Sequence, residues 1–283
     1  MKKIFTLLVM VALAACWVSC SDDDDNDKDG DTPKGKKLVS KIELAAPTTQ
    51  TKEFCVNLSY NDDCSLNKID AKLISENEKY TRVFTFYYND KNLSIKEIFQ
   101  ELSIETNPEE LISQYALNDN GYITKKENED EISTYIYDTE NYLSKTEIKE
   151  IGYSAGSSPV YHPINNIHSW NSGNMISTSQ TYEENNTTYK YLFTYTNNEN
   201  KEDIDLPYLL TDLLITGGSL EQAIGLNGKM NKNLLQQIEI DGEKADFNYT
   251  LDNEGHITKV TFKGGFDGEV YKEMSLIINY IEQ

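Results

Sequence analysis

The chain has 283 residues, with 26 Lys and Arg against 47 Asp and Glu for a formal charge of −21; 38% of its residues are apolar and 11% aromatic, including 19 Tyr. An anionic surplus of that size repels polyanions within a Debye length and argues against nucleic acid as a partner, and a mean hydropathy of −0.58 excludes a polytopic helical membrane protein. Length and aromatic content instead predict a folded, acidic, Tyr-rich body of one large or two ordinary domains.

The chain opens Met1-Lys2-Lys3 and continues with an apolar run from Ile4 to Ala15. This is the n-region and h-region of a secretory signal, too short to cross a bilayer, so residues 1–19 read as a signal peptide. Cys16 follows Leu13-Ala14-Ala15, a good lipobox; Cys20 follows Trp17-Val18-Ser19, a poorer one. The stretch Cys20-Ser21-Asp22-Asp23-Asp24-Asp25, however, resembles the start of Bacteroidetes lipoproteins, in which acids just after the lipidated Cys accompany delivery to the outer-membrane surface. The resemblance implies lipidation at Cys20, with Cys16 as the alternative, and a cell-surface protein that touches the membrane through its N-terminal lipid only. Seven Asp between positions 22 and 31 repel one another, so residues 20–37 read as a disordered acidic tether. Asp25 to Gly30 copies the first half of an EF-hand loop, but Lys36 stands where a bidentate Glu is needed, and no metal site is expected.

From residue 38 to 283 the pattern is that of a single β domain: short runs of Val, Ile, Tyr, Phe and Thr broken by Asn, Asp and Gly. Cys55 and Cys64 are expected as free thiols, because a hairpin turn at Asn61–Cys64 leaves Cys55 on the order of 16 Å up the strand. Cys64 then fills a turn position, and Cys55 packs as a small apolar residue. One nine-residue signal recurs at Tyr60–Lys68, Leu117–Lys125, Tyr137–Lys145 and Leu251–Lys259, with a looser copy from Tyr88. An apolar residue closes a strand, Asn or Asp starts the turn, Gly or Asn takes the positive-φ position, and the next strand begins with an apolar residue followed by a solvent-facing Lys. The motif resembles the YD repeats of Rhs-type proteins. Together with the acidic start, the segments Leu206–Leu210, Gly225–Lys229, Asn233–Leu235 and Asp252–Lys259 resemble a Bacteroidetes lipoprotein family of unknown function. That resemblance implies a porin-like, barrel-shaped β fold and supplies no catalytic residue. The fold class expected is all-β: a large antiparallel meander forming a curved sheet or open barrel, with a short helical insertion around 207–228.

Lys145 to Glu150 interrupts the alternating faces with charge, which argues against a lipid-facing barrel. The stretch from Gly152 to Gly173 reads as a long loop between halves 38–150 and 174–283. Inside it, Gly152-Tyr153-Ser154-Ala155-Gly156 matches a nucleophile elbow but lacks the strand-turn-helix context, and His162 and His168 have no metal-ligand spacing; His256 occupies a variable turn position. Glu109-Glu110 and Glu183-Glu184 read as solvated faces. Tyr189, Tyr191, Phe193 and Tyr195 alternate, so all four rings project from one face, either as core or as a platform for a sugar or peptide. After Pro207, an N1-type residue, Leu209, Leu210, Leu213 and Leu214 recur at helical spacing up to Gly217-Gly218. Ser219–Gln222 is a capping-box pattern, and Gly225 and Gly228 end the second helix of an insertion over 205–228.

No catalytic motif and no cofactor fingerprint emerges. The reading is an outer-membrane lipoprotein acting as a non-enzymatic binding or structural module, with a glycan or an envelope protein as partner and the aromatic stripe as ligand face. One alternative is a carboxylate-dependent hydrolase. Another is a scaffold that docks a partner through the 207–228 helices, which requires an exposed Leu209/Leu213 face.

Overall fold

The four nonapeptides fold alike, and their geometry sets the architecture. In the computed structural model, which describes residues 36–76, 78–103, 107–152, 159–214, 219–264 and 272–283, each joins two antiparallel strands. In three of them one side chain, Asn118, Asp138 or Asp252, accepts two backbone N–H groups, those two and four residues on. In the first copy Asp63 accepts the Ser65 N–H instead. The left-handed position falls on Gly121 (φ 80°), Asn141 (67°) and Gly255 (88°), as the pattern requires, and in the first copy on Cys64 (64°), a departure from its Gly or Asn. The looser copy is a tighter turn with Asn89 opposite Asn92 and Asp90 at φ 46°. The signal peptide, Cys16, Cys20, the tether up to residue 35, most of the Gly152–Gly156 pattern and Gly217-Gly218 lie outside the described residues.

Sixteen strands follow in chain order: β1 (Lys37–Leu44), β2 (Thr51–Tyr60), β3 (Leu66–Ser75), β4 (Lys79–Asn89), β5 (Asn92–Glu101), β6 (Glu109–Leu117), β7 (Ile123–Glu127), β8 (Glu131–Tyr137), β9 (Leu143–Gly152), β10 (Val160–Asn171), β11 (Asn174–Tyr182), β12 (Thr187–Glu199), β13 (Asn233–Ile240), β14 (Glu243–Leu251), β15 (Ile257–Gly264) and β16 (Lys272–Glu282). Each pairs antiparallel with its chain neighbours, and β1 pairs with β16 from Lys37 opposite Glu282 to Leu44 opposite Leu276. The meander therefore closes into a barrel. The segment expected as a long loop is strand β10, paired with both β9 and β11. All four nonapeptides connect an even strand to an odd one, so they lie at one end of the barrel, called here the turn end.

Alternation along the strands separates two faces. Inward stand Phe54, Val56 and Leu58 of β2, Ile69, Ala71 and Leu73 of β3, Val260 and Phe262 of β15, and Met274, Leu276 and Ile278 of β16, all buried. Outward run ion pairs: Lys41–Glu43 (2.5 Å), Lys68–Asp70 (3.1 Å), Lys145–Glu147 (2.6 Å) two apart on one strand, and Lys72–Glu53 (2.9 Å) and Lys96–Glu110 (2.7 Å) between strands. Each such pair contributes little to stability, but together they make an outer wall unsuited to hydrocarbon. A transmembrane barrel has the reverse arrangement, apolar outside and polar within. Cys55 and Cys64 are free thiols. Cys55 belongs to the outer face rather than the core, because Phe54 and Val56 take the inward positions of β2.

In each nonapeptide the register slips at the last strand residue, between Ser59 and Tyr60, Ala116 and Leu117, Ile136 and Tyr137, and Thr250 and Leu251. These bulges disturb the ladder, and at three of them an aromatic side chain from within the barrel meets the carbonyl at the start of the odd strand. Tyr137 Oη donates to Ile123 O (2.6 Å), Trp170 Nε1 to Leu143 O (2.7 Å) and Tyr280 Oη to Ile257 O (2.7 Å). Tyr60, Tyr195 and Tyr249 do the same to Val39 (2.7 Å), Met175 (2.7 Å) and Leu235 (2.5 Å). In six strand pairs, then, an aromatic near the end of an even strand bonds the start of the odd strand before it. Replacing Tyr137 by Phe leaves the Ile123 carbonyl without this donor and should lower unfolding free energy by about 1 kcal/mol in urea titrations. Tyr161→Phe, on the exposed outer face, should leave it unchanged.

Candidate functional site

The segment between β12 and β13 folds inward and closes the turn end. It carries α1 (Leu206–Leu214) and α2 (Leu220–Ala223). Asp205 precedes α1 and caps it, its carboxylate accepting the Tyr208 N–H and the Asn231 amide (3.1 Å), so Pro207 stands second in the helix rather than first. Leu206, Leu209, Leu210 and Leu213 are all at most 2% exposed. The leucine face needed for docking a partner is therefore spent on the barrel's own core, which overturns the scaffold reading. Arg82 on β4 anchors the helix end, donating to the Asp212 carbonyl (3.0 Å) and carboxylate (3.1 Å) while its Nε bonds Glu97 (2.5 Å). α2 is capped by Ser219, whose hydroxyl accepts the Gln222 N–H (3.2 Å), and the chain turns away at Gly225 (φ 73°) and Gly228 (φ 91°).

Backbone bonds stitch this plug to the hairpin turns. Ile123 N donates to Leu226 O (2.9 Å), Lys229 N to Asn141 O (3.1 Å), and Lys232 N to Gly173 O (2.9 Å). Gly228 admits no side chain: a Cβ there would lie 2.6 Å from the Asn141 carbonyl oxygen. Glu202 accepts the Ile257 N–H (3.0 Å), which ties the far side of the same end.

The plug leaves the barrel unevenly filled. Leucines of α1 and the inward rings of Phe54, Phe84, Phe247 and Phe262 fill one side. On the other, β8 to β11 turn Ser133, Thr146, Asn166, His168, Thr178 and Gln180 inward, too small or too polar to reach the plug, and a cavity of about 1050 Å³ remains. Its floor is Tyr208, Thr211, Glu221, Gln222 and Asn227; its mouth, opposite the turn end, is bounded by Glu150, Tyr182, Asn185, Tyr189, Asp241 and Glu243. The result is a cup.

Charges within the wall are paired. Burial pushes Glu221 towards the neutral form, but Lys126 (3.1 Å), its own backbone amide and the Tyr115 hydroxyl (2.8 Å) win and hold it ionised, down at about 2. Lys126 also bonds Glu131 (3.0 Å) and is raised, the two carboxylates outweighing burial. Burial lowers His168 to about 4, so it is a neutral imidazole between the Thr146 (3.3 Å) and Thr178 (2.9 Å) hydroxyls. A carboxylate fixed as an anion and a histidine fixed as neutral are poor proton carriers. Among the described residues no three His, Cys, Asp or Glu side chains converge to hold a metal ion.

The aromatic stripe faces inward and divides by depth. Tyr189, 39% exposed, stands at the mouth; Tyr191 lies half-buried below it; Phe193, 8% exposed, packs against Tyr208 of the plug (6.0 Å between centroids). These three line the cup. Tyr195 lies beyond it, bonded to Met175 O (2.7 Å) and Asn231 Oδ1 (2.9 Å). The stripe is thus wall at one end and core at the other. Sequence reasoning missed His168, Asn166, Gln180 and Tyr182, whose alternation on β10 and β11 was hidden once β10 read as loop. His162 sits across from Glu184 (2.9 Å), and His256 beside Glu202 (3.4 Å) at the turn end.

No protein-family model and no curated protein matches the chain. Among solved structures, a porin-like protein from Bacteroides uniformis ATCC 8492 is similar with a TM-score of 0.56 and 18% identity, over 86% of this chain and 98% of that one. A porin-like protein from Bacteroides vulgatus ATCC 8482 is similar with a TM-score of 0.56 and 13% identity, over 87% and 99%. The fold, an all-β barrel, is shared with these porin-like proteins.

The state of His168 has a measurable consequence. Its folded value lies below its ordinary 6.5, so its contribution to stability is complete above pH 6.5 and is lost as pH falls towards 4, by on the order of 3 kcal/mol. Asp205 and Asp212, both raised by burial to about 6, act in the opposite sense. Because His168→Gln leaves those two in place, the difference between the two proteins isolates His168. Between pH 6.5 and 4 the unaltered chain should lose stability relative to the variant, measured by urea unfolding.

Proposed function

We propose that this chain is a non-enzymatic glycan-binding module of the bacterial envelope, held to the outer membrane by a lipid on Cys20, or on Cys16, and facing the cell exterior. The cup supports the binding part most directly. It has the size of a large ligand site, about 1050 Å³, just above the ~300–1000 Å³ typical of small-molecule pockets. Tyr189 and Tyr191 offer flat rings at its mouth, and hydroxyl and amide groups of β8 to β11 line the wall beneath. A ring against the face of a sugar, with hydrogen bonds around its edge, is the contact such a surface makes. The charged outer wall supports an anchor made by lipid rather than by strands, and the likeness to porin-like proteins of Bacteroides supports an envelope setting.

The test is capture of a fluorescent neutral oligosaccharide by cells producing the full chain. Cells with the unaltered protein should retain the sugar, and Tyr191→Ala should weaken capture about tenfold. Cys20→Ala should release the protein into the medium with its affinity intact; release by Cys16→Ala instead would move the anchor to that residue. Undiminished capture by Tyr191→Ala would take the cup out of the account.

A further inference from the structure

We infer that the cup selects saccharides by charge, accepting chains that are uncharged or bear amino groups and rejecting those with carboxylate, sulfate or phosphate; this rests on the glycan-binding reading above. The first observation is the balance of its lining: five carboxylates, Glu131, Glu150, Glu221, Asp241 and Glu243, against one ammonium, Lys126. That ammonium is already held by Glu131 at 3.0 Å and Glu221 at 3.1 Å, so it is not presented to a ligand anion. The imidazole of His168 is neutral, with both ring nitrogens engaged by threonine hydroxyls.

The second observation is where the acids stand. Glu150, Asp241 and Glu243 are exposed at the mouth, on the ends of two strand systems that face each other across it. Glu131 and Glu150 occupy directly opposed positions of β8 and β9 on the inner face. The third is unfilled acceptor capacity. The side-chain oxygens of Asn166 in the wall and Asn227 in the floor, the latter residue 5% exposed, have no hydrogen-bond partner among the described residues. Buried acceptors call for donors. A ligand rich in O–H or N–H groups supplies them, whereas an anionic group brings only more acceptors past three carboxylates at the entrance.

Three negative charges at the entrance weaken the binding of an entering anion about tenfold at low salt. The experiment is calorimetric titration of the full chain with three oligosaccharide sets of matched length: neutral gluco- and xylo-oligosaccharides, deacetylated chito-oligosaccharides, and oligogalacturonates. The inference predicts binding of neutral or amino-bearing chains and at least tenfold weaker binding of oligogalacturonates in low-salt buffer. In the variant Glu150→Gln/Asp241→Asn/Glu243→Gln, whose changes are at exposed positions, the affinity for oligogalacturonates relative to that for neutral chains should rise about tenfold. Oligogalacturonates binding the unaltered chain as tightly as the neutral sets would overturn the selection by charge and leave the glycan reading standing. Silence from all three sets would defeat both.

Discussion

At three of the four recurrent hairpins, where the odd strands start at Ile123, Leu143 and Ile257, the bulge disturbs the strand ladder and a donor is brought to the carbonyl there. Orphaned carbonyls inside a barrel are costly, and in this chain the donor is an aromatic side chain pointing inward from the end of an even strand. Tyr60, Tyr137, Tyr195, Tyr249 and Tyr280 serve in this way, with Trp170. They narrow the turn end with a ring of rigid, hydrogen-bonded side chains. The 200–232 segment fits against this ring because it exchanges backbone bonds with the turns themselves, at Asn141, Gly173 and Ile123. Closure at one end and the cup at the other follow from the same local device.

The barrel shares its fold with porin-like proteins while its faces are exchanged relative to a membrane-spanning pore. Ion pairs stand on the outside among exposed side chains such as Ile112, Ile136, Ile167 and Leu192, and the inside is divided among aromatic core, plug and cup. The division is asymmetric for a steric reason: α1 lies against the aromatic side and presents Leu209 and Leu213 to it, while the strands on the other side carry Ser, Thr, Asn and His that do not span the gap. A barrel filled on both sides would be a stable but inert object; the unfilled side is where affinity can reside. The buried Glu221–Lys126–Glu131 group then has a structural purpose, since it ties floor to wall without leaving a charge unpartnered.

Much of this was legible in the residues. The turns could be read because their chemistry is contained in nine positions: an Asn or Asp to accept two amides, and a Gly or Asn for positive φ. The helices could be read from leucine spacing and Ser219. Barrel closure could not, since β1 and β16 are at opposite ends of the chain and no local signal marks their pairing. Strand β10 was concealed by Pro163 and by its Asn and Ser residues. Pro163 is tolerated because its carbonyl faces β11 and accepts Glu183 N (3.1 Å), so the missing N–H points the same way, beyond the last paired position of that ladder, Ile164 with Tyr182. With β10 unread, the polar inner wall and His168 went unread too. The stripe from Tyr189 to Tyr195 was visible as a face, but whether that face was core or binding surface depended on how far the plug reaches, which only the packing decides.

On the proposed reading, the cup is the place where ligand meets protein. Nitration of surface tyrosines, followed by mass spectrometry with and without a saturating neutral oligosaccharide, asks this directly. Tyr189 at the mouth and Tyr87 and Tyr161 on the outer wall are each at least 39% exposed and should all react in the free chain. Protection of Tyr189 alone is the predicted result, and protection confined to Tyr87 or Tyr161 would contradict it.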